Sequence, residues 1–130
     1  MHRSVGGDID IERTAIMQLK FEAENIWIAD RAVDFRKAVD GLCAVILEQM
    51  EMQPREGLFV FYNKARNRLK LIGWHGNGFV MVYKRLEHGH FKVQIGECAT
   101  ITPQQLDWLL AGLDWQLLRD WKEAKTLEVF

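Results

Sequence analysis

The sequence predicts an α+β domain: an antiparallel meander sheet of four to six strands with an N-terminal helix and one or two C-terminal helices packed on it. Three observations predict this class. Between residues 57 and 93, four short apolar runs rich in Val, Phe, Tyr and Trp are separated by turn residues. Before this stretch apolar residues recur at helical spacing, and after it a second helical pattern follows a strong helix-start signal.

The four apolar runs occupy residues 58–62, 69–74, 79–83 and 90–93. The connections between them are shorter than the dozen or so residues that a parallel crossover needs, so we expect antiparallel pairing. The turn at residues 75–78 is the clearest, because its Asn-Gly pair supplies two positions that tolerate a positive φ. The run at 79–83 is apolar at every position, which predicts a central strand whose second face is partly covered.

A strand and a helix precede the meander. Ile26-Trp27-Ile28 is a compact apolar run, and with the alternating residues 19–24 it predicts one or two strands. The helix is predicted over residues 34–50, since Asp34 is a good N-cap for an apolar face with three- and four-residue spacing. Gly41 lies inside this helix, at a cost of about 1 kcal/mol relative to Ala unless close packing requires it.

The helical segment after the sheet carries three agreeing start signals, preceded by an expected loop at residues 96–100. Thr102 can act as N-cap, Pro103 suits the first helical position, and Gln105 completes a capping box. Gly112 marks the expected end of this helix. Asp114 can then cap a final amphipathic helix.

Length and composition predict one domain over residues 17–130, preceded by an N-terminal extension over residues 1–16 that lacks a sustained period. No apolar run approaches the length of a membrane span. Cys43 and Cys98 are far apart in sequence and are expected to be reduced thiols. Together these features lead us to expect a cytoplasmic protein.

Charge is distributed unevenly along the chain. Residues 55–92 hold eight Lys or Arg against two Glu, whereas the remaining residues hold nine against sixteen acidic residues. Basic side chains interleaved with aromatic rings have the composition of a nucleic-acid surface. The alternative is that these cations keep the outer face of an antiparallel sheet soluble and discourage edge pairing. Charge alone favours the second interpretation.

Candidate catalytic and metal-binding groups do not form a recognisable pattern. His88, His90 and Cys98 do not have the spacing of a common zinc site. The acidic cluster around Asp30 and Asp34 alternates with cations, which is typical of a solvated helix end. The glycine-rich turn lacks the Lys-Ser/Thr of a phosphate loop. We therefore expect a protein that is not an enzyme and that needs no cofactor.

Three blocks of sequence in this order carry a specific resemblance. They are DFRKAVDGL at residues 34–42, the meander from LFVF at 58–61 through RLKL at 68–71 and WHGNG at 74–78 to YKRLE at 83–87, and ITPQQL at 101–106 with GLDW at 112–115. Over about residues 26–115 the chain resembles the small TnpB-type, or Orf2-like, accessory proteins of bacterial insertion sequences of family sixty-six. His75 departs from the acidic residue usual in that family, and Val93-Gln94 replaces a usual Trp-Pro.

The resemblance implies a non-catalytic accessory role in DNA transposition, beside a separate transposase encoded by the same element. Two hypotheses follow, and the sequence leaves both open. In the first, a basic sheet surface contacts DNA, with cations on phosphates and Trp74 near the backbone or an exposed base. In the second, large apolar side chains such as Trp108, Trp115 and Trp121 dock the transposase without specific DNA binding. The candidate nucleic-acid-binding residues are Lys64, Arg66, Arg68, Lys70, Trp74, Lys84 and Arg85.

Overall fold

A computed structural model describes residues 25–93 and 96–114 of the chain. Its elements in chain order are strand β1 (Ile26–Ile28), helix α1 (Val39–Glu48), a 3₁₀ turn (Pro54–Glu56), strands β2 (Leu58–Tyr62), β3 (Arg68–His75), β4 (Gly78–Arg85) and β5 (Ala99–Ile101), and helix α2 (Pro103–Leu110). The predicted α+β class is confirmed. The predictions for residues 1–16, for strands within 17–24 and for a helix after Asp114 concern residues outside this description.

The five strands form one sheet in the order β4-β3-β2-β1-β5. The meander β2-β3-β4 is antiparallel as predicted, with Phe59 opposite Ile72 and Ile72 opposite Met81. The prediction of a purely antiparallel sheet is wrong, because β1 pairs with β2 in parallel. Residues 29–57 connect these two strands and contain α1, so this connection has the length that a parallel crossover requires.

The core lies on both faces of β2, whose five residues are all buried. Phe59 and Phe61 pack on one side with Leu42 and Ile46 of α1. On the other side Leu58, Val60 and Tyr62 pack with the apolar face of α2. The prediction that residues 79–83 form the central strand is therefore wrong. These residues belong to β4, an edge strand whose apolar side chains are only half-buried or exposed.

The last strand of the sheet differs from the prediction. Residues 90–93 are not a strand, although Phe91 and Val93 are buried in the core. Residues 99–101, which fall largely in the expected loop, instead form β5 and pair antiparallel with β1. A buried loop can show the same alternation of apolar residues as a strand. The sequence pattern therefore did not show that residues 90–93 form a loop and residues 99–101 a strand.

Helix α1 begins later than predicted. Asp34 is not its N-cap: Asp34 Oδ1 accepts from the backbone N–H of Arg36 at 2.9 Å, and the Asp34 carbonyl accepts from Lys37 N at 3.1 Å. Asp34 therefore closes a tight turn ahead of the helix. The N-cap is Ala38, which provides no side-chain hydrogen bond.

Helix α2 has the predicted termini. The Thr102 hydroxyl accepts from Gln105 N, and Gln105 Oε1 accepts from Thr102 N, so the capping box is confirmed. At the other end Gly112 has φ +80°, its N–H donates to the Leu109 carbonyl, and Leu113 N–H donates to the Trp108 carbonyl. These two bonds form a Schellman motif, and glycine takes the left-handed position there without strain.

The turn between β3 and β4 lies where it was predicted, but the predicted Asn-Gly pair does not supply its positive φ. His75 pairs with Gly78, so the two loop residues are Gly76 and Asn77, and only Gly76 has a positive φ, of 63°. Glycine with positive φ at the first loop position is the type II′ arrangement, which suits the twist of a hairpin. Among the helices that the structure describes, none is long and apolar enough to cross a membrane.

Candidate nucleic-acid interface

Six basic residues lie on neighbouring segments of the chain, where β2 ends, β3 begins and β4 ends. We call this surface the basic end. It is made by the β2–β3 turn, by the facing ends of β3 and β4, and by the loop that follows β4. Its members are Lys64, Arg66, Arg68, Arg85, His90 and Lys92. Four of these residues are among the candidates predicted from the sequence, so the structure brings together part of the predicted set.

The turn of the basic end is held by the side chain of Asn63. Its Oδ1 accepts from the backbone N–H groups of Asn67 and Arg68, both at 3.0 Å, and its Nδ2 donates to Asn67 Oδ1 at 2.7 Å. Asparagine side chains favour such turns because they replace backbone partners locally. The exposed side chains of Lys64 and Arg66 are therefore carried by an ordered scaffold.

Arg66 occupies a backbone conformation that favours glycine, with φ 59°. The structure compensates for it: Arg66 N donates to the Asn63 carbonyl, and the Arg66 carbonyl accepts from Phe91 N at 2.7 Å. A left-handed backbone at a non-glycine residue costs about 1–3 kcal/mol and tends to occur at functional sites. An arginine at this position is consistent with a role for its exposed side chain.

Arg68 and Arg85 lie directly opposite each other on neighbouring strands. Because the residues that close the hairpin, His75 and Gly78, exchange hydrogen bonds, the pair seven positions along does not, and such pairs bring side chains closest together. Like charges in this arrangement are destabilising by a few tenths of a kcal/mol to about 1 kcal/mol. The sheet therefore holds the positively charged side chains of Arg68 and Arg85 close together, although no backbone hydrogen bond joins these two residues.

The two arginines differ in their partners. Arg85 Nη2 lies 3.1 Å from Glu87 Oε2 in an exposed ion pair, which contributes little to stability. Within residues 25–93 and 96–114 no carboxylate pairs with Arg68, and its Nε is buried without a hydrogen-bond partner. The charge of the Arg68 guanidinium therefore has no carboxylate partner among the described residues, and a guanidinium group can bind an anion such as phosphate through charge-assisted hydrogen bonds.

Lys70 belongs to the predicted set but lies in the interior, only 8% exposed. Its Nζ donates to the carbonyls of Phe35 at 2.9 Å and Lys37 at 2.7 Å. The ammonium also lies 4.9 Å from the centre of the Phe35 ring and 5.8 Å from that of Tyr83. Lys70 thus fastens the turn before α1 to the sheet, and its charge does not reach the surface.

Trp74 lies at the other end of β3, about 20 Å from Arg68 at the usual rise of a strand. The Arg55 guanidinium lies over the Trp74 ring at 4.0 Å, and Phe79 makes an edge contact with ring centroids 5.0 Å apart. Trp74 Nε1 is buried without a hydrogen-bond partner. The ring is therefore engaged within the protein rather than presented beside the basic end.

Lys84 projects from the sheet face opposite to Arg85, because successive strand residues alternate, so it does not lie beside Arg68 and Arg85. His90 and Lys92 do join it, although they were not among the predicted residues. His90 Nδ1 lies 2.8 Å from the Ala65 carbonyl. With Arg66 and Lys92, it lines an open groove of about 400 Å³. The local excess of cations was the available signal for Lys92.

Acidic and thiol groups show no catalytic arrangement in the described part of the chain. Hydrogen bonds from Arg36 lower the pKa of Asp34 to about 2, and the Arg31 guanidinium lowers the pKa of Asp30. Burial raises the pKa values of Cys43 and Cys98, which disfavours the nucleophilic thiolate. No three His, Cys, Asp or Glu residues in the described ranges are grouped to hold a metal ion.

Comparison with known proteins gives a consistent result. The family model described as IS66 Orf2 like protein matches residues 24–120. Two relatives come from Sinorhizobium fredii (strain NBRC 101917 / NGR234). Uncharacterized protein y4hO is 34% identical over 105 residues, covering 78% of this chain and 91% of the relative. Uncharacterized protein y4jC is 37% identical over 94 residues, covering 69% and 80%. No solved structure matches the chain.

Proposed function

Because the chain belongs to the IS66 Orf2-like family, whose members are transposition-associated accessory proteins, we propose that it assists transposition by holding DNA phosphates at its basic end. The family membership inferred from the three sequence blocks is confirmed. The proposal concerns the finer role, DNA contact without catalysis, beside a transposase encoded by the same element.

One observation carries the proposal: Arg68 and Arg85 are held directly opposite each other, and no carboxylate among the described residues pairs with Arg68. Like charges directly opposite each other on neighbouring strands repel, so this arrangement is by itself unfavourable to the fold. A phosphate between the two guanidinium groups would accept charge-assisted hydrogen bonds from both and remove the repulsion. The exposed Lys64, Arg66 and Lys92 would extend the contact along a nucleic-acid backbone.

The proposed contact set therefore differs from the set predicted by sequence. It keeps Lys64, Arg66, Arg68 and Arg85, and it adds His90 and Lys92. Lys70 is assigned a structural role by its two carbonyl contacts. Trp74 is omitted because it lies at the far end of β3, and Lys84 because it lies on the face of the sheet opposite to Arg68 and Arg85. No base-reading element is proposed, so the contact is with phosphate.

Fluorescence anisotropy across a salt series tests the proposal. The probes are labelled duplexes from an insertion-sequence end and of scrambled sequence, and a labelled single strand. We expect log K to fall linearly with log salt, and the double variant Arg68→Gln/Arg85→Gln to reduce the slope by about two. Arg55→Gln is the control for position: it removes one positive charge at the far end of the sheet, where Arg55 lies over Trp74, and should leave the slope nearly unchanged.

Stability provides a second measurement on the same double variant. If the two arginines are held for phosphate, removing their repulsion leaves the DNA-free protein as stable as before or slightly more stable, while DNA affinity falls. Loss of both stability and binding would indicate a structural role instead. Equal binding by the double variant and by the control would refute the basic end as the contact surface. Absence of DNA binding at low salt would favour docking of the transposase alone.

A further inference from the structure

The outer edge of β4 has the features of a pairing surface. β4 is eight residues long and lies at the end of the sheet, where the described residues pair with it only through β3. Residues 78–83 contain no charge and no proline, and the ladder with β3 is continuous from Gly78 to Arg85 without a bulge. Proteins usually protect an edge of this length with such devices, because its free backbone groups recruit another strand.

The register of the hairpin shows which backbone groups of β4 have no partner among the described residues. Gly78 closes the two-residue turn with His75, so alternate residues from Gly78 onward exchange hydrogen bonds with β3. The Leu86 N–H, which donates to the Asn67 carbonyl at 2.8 Å, continues the same alternation. The N–H and C=O groups of Phe79, Met81 and Tyr83 therefore point away from the sheet.

We propose that β4 pairs antiparallel with β4 of a second copy of this chain, about a two-fold axis at Met81. In this register Met81 faces Met81 of the second copy, and Phe79 faces Tyr83. The outward groups of the two strands are then in phase, and about six backbone hydrogen bonds form across the seam. Two five-stranded sheets become one continuous ten-stranded sheet.

Side chains and charges of β4 suit its own copy. On one face the seam joins Phe79, Met81 and Tyr83, the last of which is 50% exposed in the single chain. On the other face Val80 lies opposite Val82. Antiparallel pairing places Lys84 and Arg85 opposite the uncharged turn residues of the second copy, whereas parallel pairing would stack each cation on its equivalent. The strand is therefore self-complementary in one direction only.

The arrangement places two copies of the basic end in defined positions. Arg85 pairs with residue 77 of the second copy, so the two Arg85 residues lie eight residues apart along the seam, or about 27 Å. The dimer does not depend on DNA contact, because its backbone hydrogen bonds come from Phe79, Met81 and Tyr83, none of which belongs to the basic end.

Amide hydrogen exchange in the wild-type protein tests the proposal directly. In a single chain Val80, Val82 and Lys84 are protected by β3, while Phe79, Met81 and Tyr83 exchange rapidly. In the dimer all six are protected, so we expect protection of the odd-numbered residues to rise with protein concentration, with a two-fold larger mass by light scattering. Rapid exchange of these three amides in a monomer at high concentration would overturn the proposal. Protection that is independent of concentration in a monomer would also overturn it, since a segment of the same chain would then cover β4.

The variant Met81→Pro removes an outward N–H without removing a β3 hydrogen bond, so proline is tolerated there on an edge strand. We expect it to fold and to be monomeric, while the control Met81→Leu keeps the N–H and dimerises. A folded, dimeric Met81→Pro variant would overturn the proposed seam. If Met81→Pro does not fold, the wild-type exchange series decides the question without it.

Discussion

Replacing Lys70 by Met separates the structural lysine from the cations of the basic end. The change keeps an unbranched apolar stem in the core and removes the ammonium that holds two carbonyls, at 2.9 and 2.7 Å. Net contributions of about 1.5–3 kcal/mol for each hydrogen bond to a charged group set the upper range. Met no longer has an ammonium to desolvate, so we expect the free energy of unfolding to fall by about 2–4 kcal/mol.

Urea denaturation followed by tryptophan fluorescence measures this loss. With a slope of about 1.5 kcal/mol per molar urea, a loss of about 3 kcal/mol lowers the midpoint by about 2 M. The control is Lys64→Met, which removes the same charge from an exposed turn position and should change stability by less than about 0.5 kcal/mol. The two variants therefore carry the same substitution, but only Lys70→Met is expected to destabilise the fold.

The two variants are expected to affect DNA binding in the opposite order: Lys64→Met should weaken it and Lys70→Met should not. Lys70→Met, measured where it is fully folded, should bind DNA like the wild type, because its ammonium does not reach the surface. Lys64→Met should reduce the salt slope by about one. The reasoning is refuted if Lys70→Met is as stable as the wild type, or if it is folded and has lost DNA affinity while Lys64→Met has not.

Three further predictions concern the core and the caps. Burial raises the pKa of Tyr62 to about 12. In the variant Tyr83→Phe, Tyr62 is the remaining tyrosine, so ultraviolet titration should show ionisation near pH 12. The stability that the neutral Tyr62 hydroxyl contributes should be present below pH 10 and lost as the pH rises through 12. An ionisation midpoint near 10 in folded protein would contradict this. Gly57→Ala should lower the free energy of unfolding by about 1–3 kcal/mol in urea denaturation, because a Cβ would lie 2.9 Å from the buried ring of Phe59. In the control Gly78→Ala the Cβ meets nothing within 4 Å, so stability should change little. Equal effects of the two variants would refute the packing argument. Thr102→Ala removes the capping hydroxyl and should cost about 1 kcal/mol by the same measurement, while retention of full stability would show that the cap is dispensable.

The parts of the fold that the sequence predicts well are those encoded by neighbouring residues. The meander follows from short connections, and the capping box of α2 follows from Thr102, Pro103 and Gln105. The parallel pairing of β1 with β2 was missed because the argument from short gaps holds only within residues 57–93. The connection from Ile28 to Leu58 is long enough for a parallel crossover. The helix within it was predicted, but the parallel pairing that such a crossover allows was not.

The candidate site was predicted in part for a related reason. Alternation along β3 correctly separates Lys70 from Leu69 and Leu71, but it does not show what covers each face. The turn before α1 covers Lys70, and this contact joins residues that are 33 and 35 positions apart. Local charge density identified the region of Arg68 and Arg85, while their direct opposition depends on the register of the hairpin.

The pairing of β1 with β5 has a consequence for how this domain forms. It joins residues near the two ends of the described chain, Ile26 with Ile101, whereas the meander joins residues close in sequence. Contacts between distant residues require costly loop closure, so they slow folding and tend to follow local ones. During synthesis the meander is complete before β5 has been made, and β1 has one bare side until then. The five-stranded sheet can be completed only after Ile101 has left the ribosome.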